Sequence, residues 1–220
     1  ESVSDIRKVD EIISIYEGNK KKKGGLELII ETARGLVNIE NIAKASKRNE
    51  TLHFGAADMA ASMRAKTLNI GGVNEHYGSL ENKKDSNANR MFFLNDMWHY
   101  ALFKILITAR AFDLKAIDCP FGDFNDDKGF VALAKKSYVM GFDGKMVIHP
   151  NQIPLANKIY APTNKEIKEA KQILEAMEQG KSLGKGAIAF KGKLLDIVSI
   201  KQAENVVYFS KQLALKEKEK

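Results

Sequence analysis

The chain has 220 residues, 44% hydrophobic and 29% charged, with a formal net charge of +7; this is ordinary globular composition and excludes wholesale disorder. No stretch approaches the roughly 20 apolar residues of a membrane span, and Glu1 to Asp5 lacks the charged-then-apolar layout of a signal peptide. The one cysteine, Cys119, excludes an intramolecular disulfide and a zinc cluster of cysteines, so a cytoplasmic protein without membrane contact is expected.

Much of the positive charge is local, in Lys20 to Lys23 and in the tail Lys216 to Lys220. Such runs read as a solvated loop and a fraying helix end, or as a surface favouring polyanions. No zinc finger or arginine–aromatic interleaving points to nucleic acid.

In chain order, Ile6, Val9, Ile12, Ile13 and Tyr16 form a helix-like stripe. Leu26 to Ile30 reads as a buried strand ending at Glu31. A helix is expected from Gly35 to about Arg48, with Leu36, Ile39, Ile42 and Ala43 on one face. Leu52 to Gly55 is a second strand ending near Asp58. A Gly- and Asn-rich loop follows from about Thr67 to Asn95. Asp96 is expected to cap a helix carrying Trp98, Leu102, Ile105, Leu106 and Ala109. Leu114 to Ile117 is a third strand, leading into Asp118-Cys119-Pro120, and Phe130 to Tyr138 is helical. Lys145 to Ile148 is a fourth strand ending at His149-Pro150, with a helix from about Ile153 to Tyr160. Pro162-Thr163 starts a helix to about Glu178. Gly180, Gly184 and Gly186 mark a hinge. A hairpin turns about Gly192, and a last helix runs from about Ser199.

Strand–helix alternation predicts an α/β fold with a parallel sheet. Four such units are half of an eight-stranded barrel, or a small open sheet. Two domains are expected, 1–178 and 179–220, the second too short to hold its own core.

Glu31 and Asp58 sit at the C-terminal ends of buried strands, which in a parallel barrel share one mouth. Two converging carboxylates suit Mg²⁺; equally, Glu31 can cap its helix and Asp58 can bind local amides. Gly55, Ala56 and Ala57 are small enough for backbone amides to approach a substrate, or for tight packing. His149 and Pro150 follow the last strand, where a histidine is either substrate-adjacent or structural. Asp123 reads as a turn-former and His53 as a structural residue.

Four segments occur in order: Ile30-Glu31-Thr32-Ala33-Arg34-Gly35, Phe54-Gly55-Ala56-Ala57-Asp58-Met59-Ala60-Ala61-Ser62, Asp118-Cys119-Pro120-Phe121-Gly122-Asp123 and Ile148-His149-Pro150-Asn151-Gln152. Together with Trp98-His99-Tyr100 and Gly192-Lys193-Leu194-Leu195-Asp196, they make the chain resemble the citrate lyase beta-subunit and malyl-CoA lyase family of barrel aldolases. The resemblance implies a (β/α)8 TIM-type barrel, of which the chain holds strands five to eight and a C-terminal lid, strands one to four lying outside it. It implies Mg²⁺, with Mn²⁺ as a substitute, on Glu31 and Asp58. Gly55, Ala56, Ala57, His149 and Pro150 would touch substrate. Asp196 would be a catalytic acid–base on a lid that closes over a neighbouring subunit in a homotrimer or homohexamer. The implied reaction is reversible cleavage of a 3-hydroxyacyl-CoA thioester, such as malyl-CoA, to acetyl-CoA and the 2-oxo acid glyoxylate. Thioester hydrolysis and a non-catalytic CoA-binding subunit are the alternatives.

Overall fold

The computed structural model describes residues 1–19, 24–82, 89–182, 184 and 186–218. The run Lys20 to Lys23 and the last two residues of the charged tail lie outside them. The chain divides into two compact units, Glu1–Ala156 and Asn157–Lys220.

The first unit opens with α1 (Val3–Glu17), started by a reciprocal cap: Asp5 N–H donates to Ser2 Oγ while Ser2 N–H donates to the Asp5 carboxylate. The elements β1 (Leu26–Ile30), α2 (Ala33–Val37), α3 (Ile39–Ala43), β2 (Asn49–Phe54) and α4 (Ala56–Ser62) follow. The single helix expected from Gly35 to Arg48 is instead two short ones, broken at Asn38. Leu36, Ile39, Ile42 and Ala43 are still buried. The buried Asn49 amide ends α3 by donating to the Ile42 and Ala43 carbonyls at 3.0 and 2.9 Å, and β2 starts there, three residues earlier than its apolar run suggests.

The long connection folds part of itself into a hairpin, β3 (Gly78–Leu80) against β4 (Phe92–Leu94). Next come α5 (His99–Ala111), β5 (Lys115–Asp118), α6 (Asp127–Met140), β6 (Gly144–Lys145) and α7 (Gln152–Tyr160). Asp96 does not cap α5, which begins after Trp98; its carboxylate accepts the Trp98 amide and pairs with Lys136.

The main sheet runs β1-β2-β5-β6, every neighbouring pair parallel. Strands alternate faces. Leu28, Ile30, Leu52, Phe54 and Ala116 share one face by register, and Trp98 of α5 meets Phe54 edge-on with ring centroids 5.5 Å apart. This is the core, closed by Leu102, Ile105, Leu106 and Ala109 of α5. The opposite face carries the rows Glu27–Thr51–Lys115 and Ile29–His53–Ile117, a mixed polar surface on which Ile29 is 51% exposed.

The fourth strand is two residues long rather than four. The ladder ends because its partner runs out of groups. Met146 N–H reaches the Asp118 carbonyl at 2.9 Å. Beyond that, the Cys119 N–H is taken by Asp118 Oδ1, the Cys119 carbonyl by Lys145 Nζ, and Pro120 has no N–H.

The second unit holds α8 (Asn164–Ser182), β7 (Ile188–Phe190), β8 (Lys193–Leu195) and α9 (Ile197–Lys218). Thr163 and Glu166 form a capping box at the start of α8. Gly180 is no hinge: it lies buried within α8, and a Cβ there would fall 2.5 Å from Ile188 Cγ2, so its bareness seats the hairpin. Lys191 and Gly192 take φ of 49° and 76°, the left-handed pair that a two-residue hairpin needs. Ala170, Met177, Leu195 and Ala203 form a small core of this unit. No helix among the described residues is long and apolar enough to cross a membrane.

Candidate active site

Parallel pairing puts the ends of β1, β2, β5 and β6 at one edge of the sheet, so the four motif turns lie along that edge in the order of their strands. Glu31 follows β1 directly and is half-buried; Asp58 sits in the first turn of α4 and is exposed. The two turns are laced together. Gly55 N–H donates to the Ile30 carbonyl and Ala33 N–H to Ser62 Oγ, each at 3.0 Å. Glu31 lies across Gly55: a Cβ at Gly55 would fall 2.4 Å from Glu31 Cβ and 3.0 Å from its Oε2.

Neither carboxylate has the structural job that sequence allowed. Thr32, not Glu31, caps α2, accepting Gly35 N–H at 3.0 Å. Among the described residues, Glu31 and Asp58 make no side-chain hydrogen bond or ion pair. No group of three or more His, Cys, Asp or Glu among those residues is placed to hold a metal. Two free carboxylates in the turns that follow adjacent strands still fit a hard cation such as Mg²⁺, which takes one or two protein carboxylates and fills its other positions with water or substrate oxygens.

The small-residue run divides by position. The Gly55 amide is spent on Ile30 and Ala56 is buried, whereas Ala57 is exposed. The His149 ring lies half-buried, stacked on Phe124, with Pro150 exposed beside it. Asp123 Oδ1 accepts the Asn125 amide at 3.0 Å, as a turn-former does. His53 lies within β2, 3.4 Å from Glu27 Oε2; burial lowers its pKa while Glu27 raises it.

Three side chains behind these turns have a part that the motifs do not assign, although Asp118 and Gln152 stand within them. Lys145 Nζ pairs with Asp118 Oδ2 at 2.7 Å, both side chains almost fully buried on the helix-covered face, and also donates to the Cys119 carbonyl at 2.6 Å. Gln152 is 1% exposed and ties the β5 turn to the β6 turn. A lysine opening the otherwise apolar run Lys145 to Ile148, matched to an aspartate ending the neighbouring strand, is the signal that marks the first pair. Beside them, burial pushes the Cys119 thiol up to about 12, with the Asp118 charge acting in the same direction.

In the second unit, Asp196 Oδ1 accepts the Val198 and Ser199 amides at 2.9 and 3.3 Å, so its carboxylate is the N-cap of α9.

The profile of the HpcH/HpaI aldolase/citrate lyase family matches residues 1–150. The chain is 42% identical to an L-malyl-CoA/beta-methylmalyl-CoA lyase of Cereibacter sphaeroides over 93% of its length and 63% of that protein's. It is 36% identical to a malyl-CoA/beta-methylmalyl-CoA/citramalyl-CoA lyase of Chloroflexus aurantiacus, over 97% and 61%. The chain thus spans just under two thirds of the curated relatives it matches. Among solved structures, it resembles CitE of Mycobacterium tuberculosis in complex with magnesium, acetoacetate and coenzyme A, with a TM-score of 0.64 and 26% identity over 84% of this chain and 61% of that one. A citrate lyase from Burkholderia xenovorans aligns with a TM-score of 0.74 at 18% identity, over 97% and 62%, and shares the fold.

Proposed function

The chain belongs to the HpcH/HpaI aldolase/citrate lyase family, and from that premise we propose that it serves a Mg²⁺-dependent carbon–carbon lyase cleaving a 3-hydroxyacyl-CoA such as malyl-CoA to acetyl-CoA and glyoxylate. The observation that carries this reading is the pair Glu31 and Asp58: two carboxylates without partners among the described residues, in the turns that follow adjacent strands, one laid across a glycine. β1, β2, β5 and β6 are then the fifth to eighth strands of a (β/α)8 barrel, and residues 179–220 its lid.

Glu31 and Asp58 would hold the ion. When bound, Mg²⁺ polarises the oxygen that becomes the glyoxylate carbonyl. Cleavage passes the hydroxyl proton to solvent water and breaks the bond between the hydroxyl-bearing carbon and the methylene carbon, whose electron pair stays with the thioester fragment. It leaves an acetyl-thioester enolate that must gain a proton on carbon. Asp196, delivered by the lid to a neighbouring subunit, is the group assigned to give that proton. Its Oδ2 is left over by the capping contacts, which both use Oδ1. Ala57, His149 and Pro150 would line the thioester side. The protein then works as a homo-oligomer, trimer or hexamer.

The test is the protein with malyl-CoA, with Mg²⁺ and with a chelator, following glyoxylate and free CoA thiol separately. Mg²⁺-dependent glyoxylate release without free thiol is expected. Free thiol and malate without glyoxylate would make the protein a thioesterase, and no product in either channel would leave it a binding subunit.

A further inference from the structure

The turn after β6 is tied to the turn after β5 by Gln152 and Phe124, to which the reaction above gives no part. Gln152 accepts the Ile148 amide on Oε1 and donates from Nε2 to the Phe121 carbonyl, each at 3.0 Å. One buried amide is thus spent half on each turn. Phe124, from the β5 turn, lies over the His149 imidazole of the β6 turn with centroids 4.7 Å and planes 14° apart. The Asn151 amide N–H donates to His149 Nδ1 at 3.3 Å.

That last contact fixes a proton. An amide N–H has nothing to accept with, so Nδ1 is the bare nitrogen and the neutral ring carries its hydrogen on Nε2. His149 therefore has a set tautomer, a set plane and an anchored backbone on either side, and Nε2–H is the one donor its ring retains. A clamp serving only the fold would be complete with Gln152. Holding the plane of a half-exposed imidazole as well serves a ring with something to bind. The stack is itself half-open, Phe124 being 44% exposed, so the ring pair faces solvent at the strand-end edge rather than filling the core.

We infer that Phe124 and Gln152 are positioning residues that hold His149 as an Nε2–H hydrogen-bond donor to an oxygen of the acyl-thioester. This rests on the acyl-thioester reading given above. A neutral donor suits that role because it strengthens the hydrogen bond as charge develops on the oxygen without itself surrendering a proton.

The experiment is long-range ¹H–¹⁵N NMR of the histidine rings in the full chain, with acetyl-CoA as probe and His149→Gln to assign the signals. His149 should show the Nε2–H tautomer, with ring protons shifted upfield by Phe124. Acetyl-CoA should move its Nε2 resonance. Phe124→Leu should remove the upfield shift and weaken acetyl-CoA by about 10-fold, within the range of one neutral hydrogen bond; Phe124→Tyr should restore both. Gln152→Leu should match Phe124→Leu in affinity, and if it fails to fold, the half-exposed Phe124 series decides alone. An Nδ1–H tautomer, a His149 signal unmoved by acetyl-CoA, or equal affinity across the Phe124 series overturns the inference. Absent lyase turnover alongside a shifted His149 signal would instead sink the lyase reading and leave this one standing.

Discussion

Gly55 shows how one missing side chain sets the place of another. Because a Cβ there would collide with Glu31 Cβ, Gly55→Ala should push Glu31 out of line while leaving β2 intact. The half-saturating Mg²⁺ concentration for turnover should rise by about 10-fold, roughly 1.4 kcal/mol, and Asp58→Asn should remove most metal-dependent turnover. An unchanged Mg²⁺ titration of Gly55→Ala would separate Glu31 from the metal. Cys119 gives a pH signature at the same scale. Its thiol is held protonated in the folded chain, with a pKa raised to about 12 from the ordinary 9.0. The unfolded chain therefore ionises first as the pH rises. The stabilisation is complete below pH 9 and is lost between pH 9 and 12. The urea midpoint should fall over that window, and Cys119→Ala should fall less steeply. A folded-state thiol that reacts with a disulfide reagent at pH 8 would contradict the burial.

Between elements, the pair Lys145–Asp118 joins the last two strands where their backbone ladder stops. Lys145→Met leaves a buried aspartate without its cation, which costs about 3–5 kcal/mol. Lys145→Met with Asp118→Asn should recover much of that, measured as urea unfolding free energy; a single variant as stable as the parent would mean that the pair contributes nothing. The element scale is also where sequence and structure part. Strand positions were legible because Leu26, Leu28 and Ile30, and Leu52 and Phe54, recur at every second position and fall on one covered face. The ends of elements were not, because side-chain hydrogen bonds decide them. Asn49 starts β2 early, and the used-up groups of Cys119 and Pro120 cut β6 short. Glu31 and Asp58 were legible as candidates from their position after strands. Gln152 was not, since its partners are backbone groups 31 and 4 residues away, and no spacing rule encodes those.

At the scale of the whole molecule, the assignment of Asp196 to a neighbour's site makes a prediction that no single subunit can satisfy. Asp196→Asn keeps an oxygen to cap α9 but has no acid to give, whereas Asp196→Ala loses both and should cost about 1 kcal/mol of stability as well. Both should lower turnover by at least about 10²-fold. Refolding Asp196→Asn together with Asp58→Asn should regenerate activity, because some sites in the mixed oligomer receive an intact metal pair from one chain and an intact acid from the other; a mixture no more active than its components would confine Asp196 to its own chain or to capping. The small hairpin β3–β4 bears on how the chain assembles. About 60 residues separate Phe54 from Lys115, against about 18 between Ile30 and Asn49, so pairing β2 with β5 costs ~1 kcal/mol more loop entropy than pairing β1 with β2. Asn95 N–H meets the Tyr77 carbonyl at 2.8 Å across the neck of the hairpin, taking roughly 17 residues out of the loop that must close. The hairpin is then a tuck in the chain: it brings the two halves of the sheet within reach of each other sooner than an open loop of that length would.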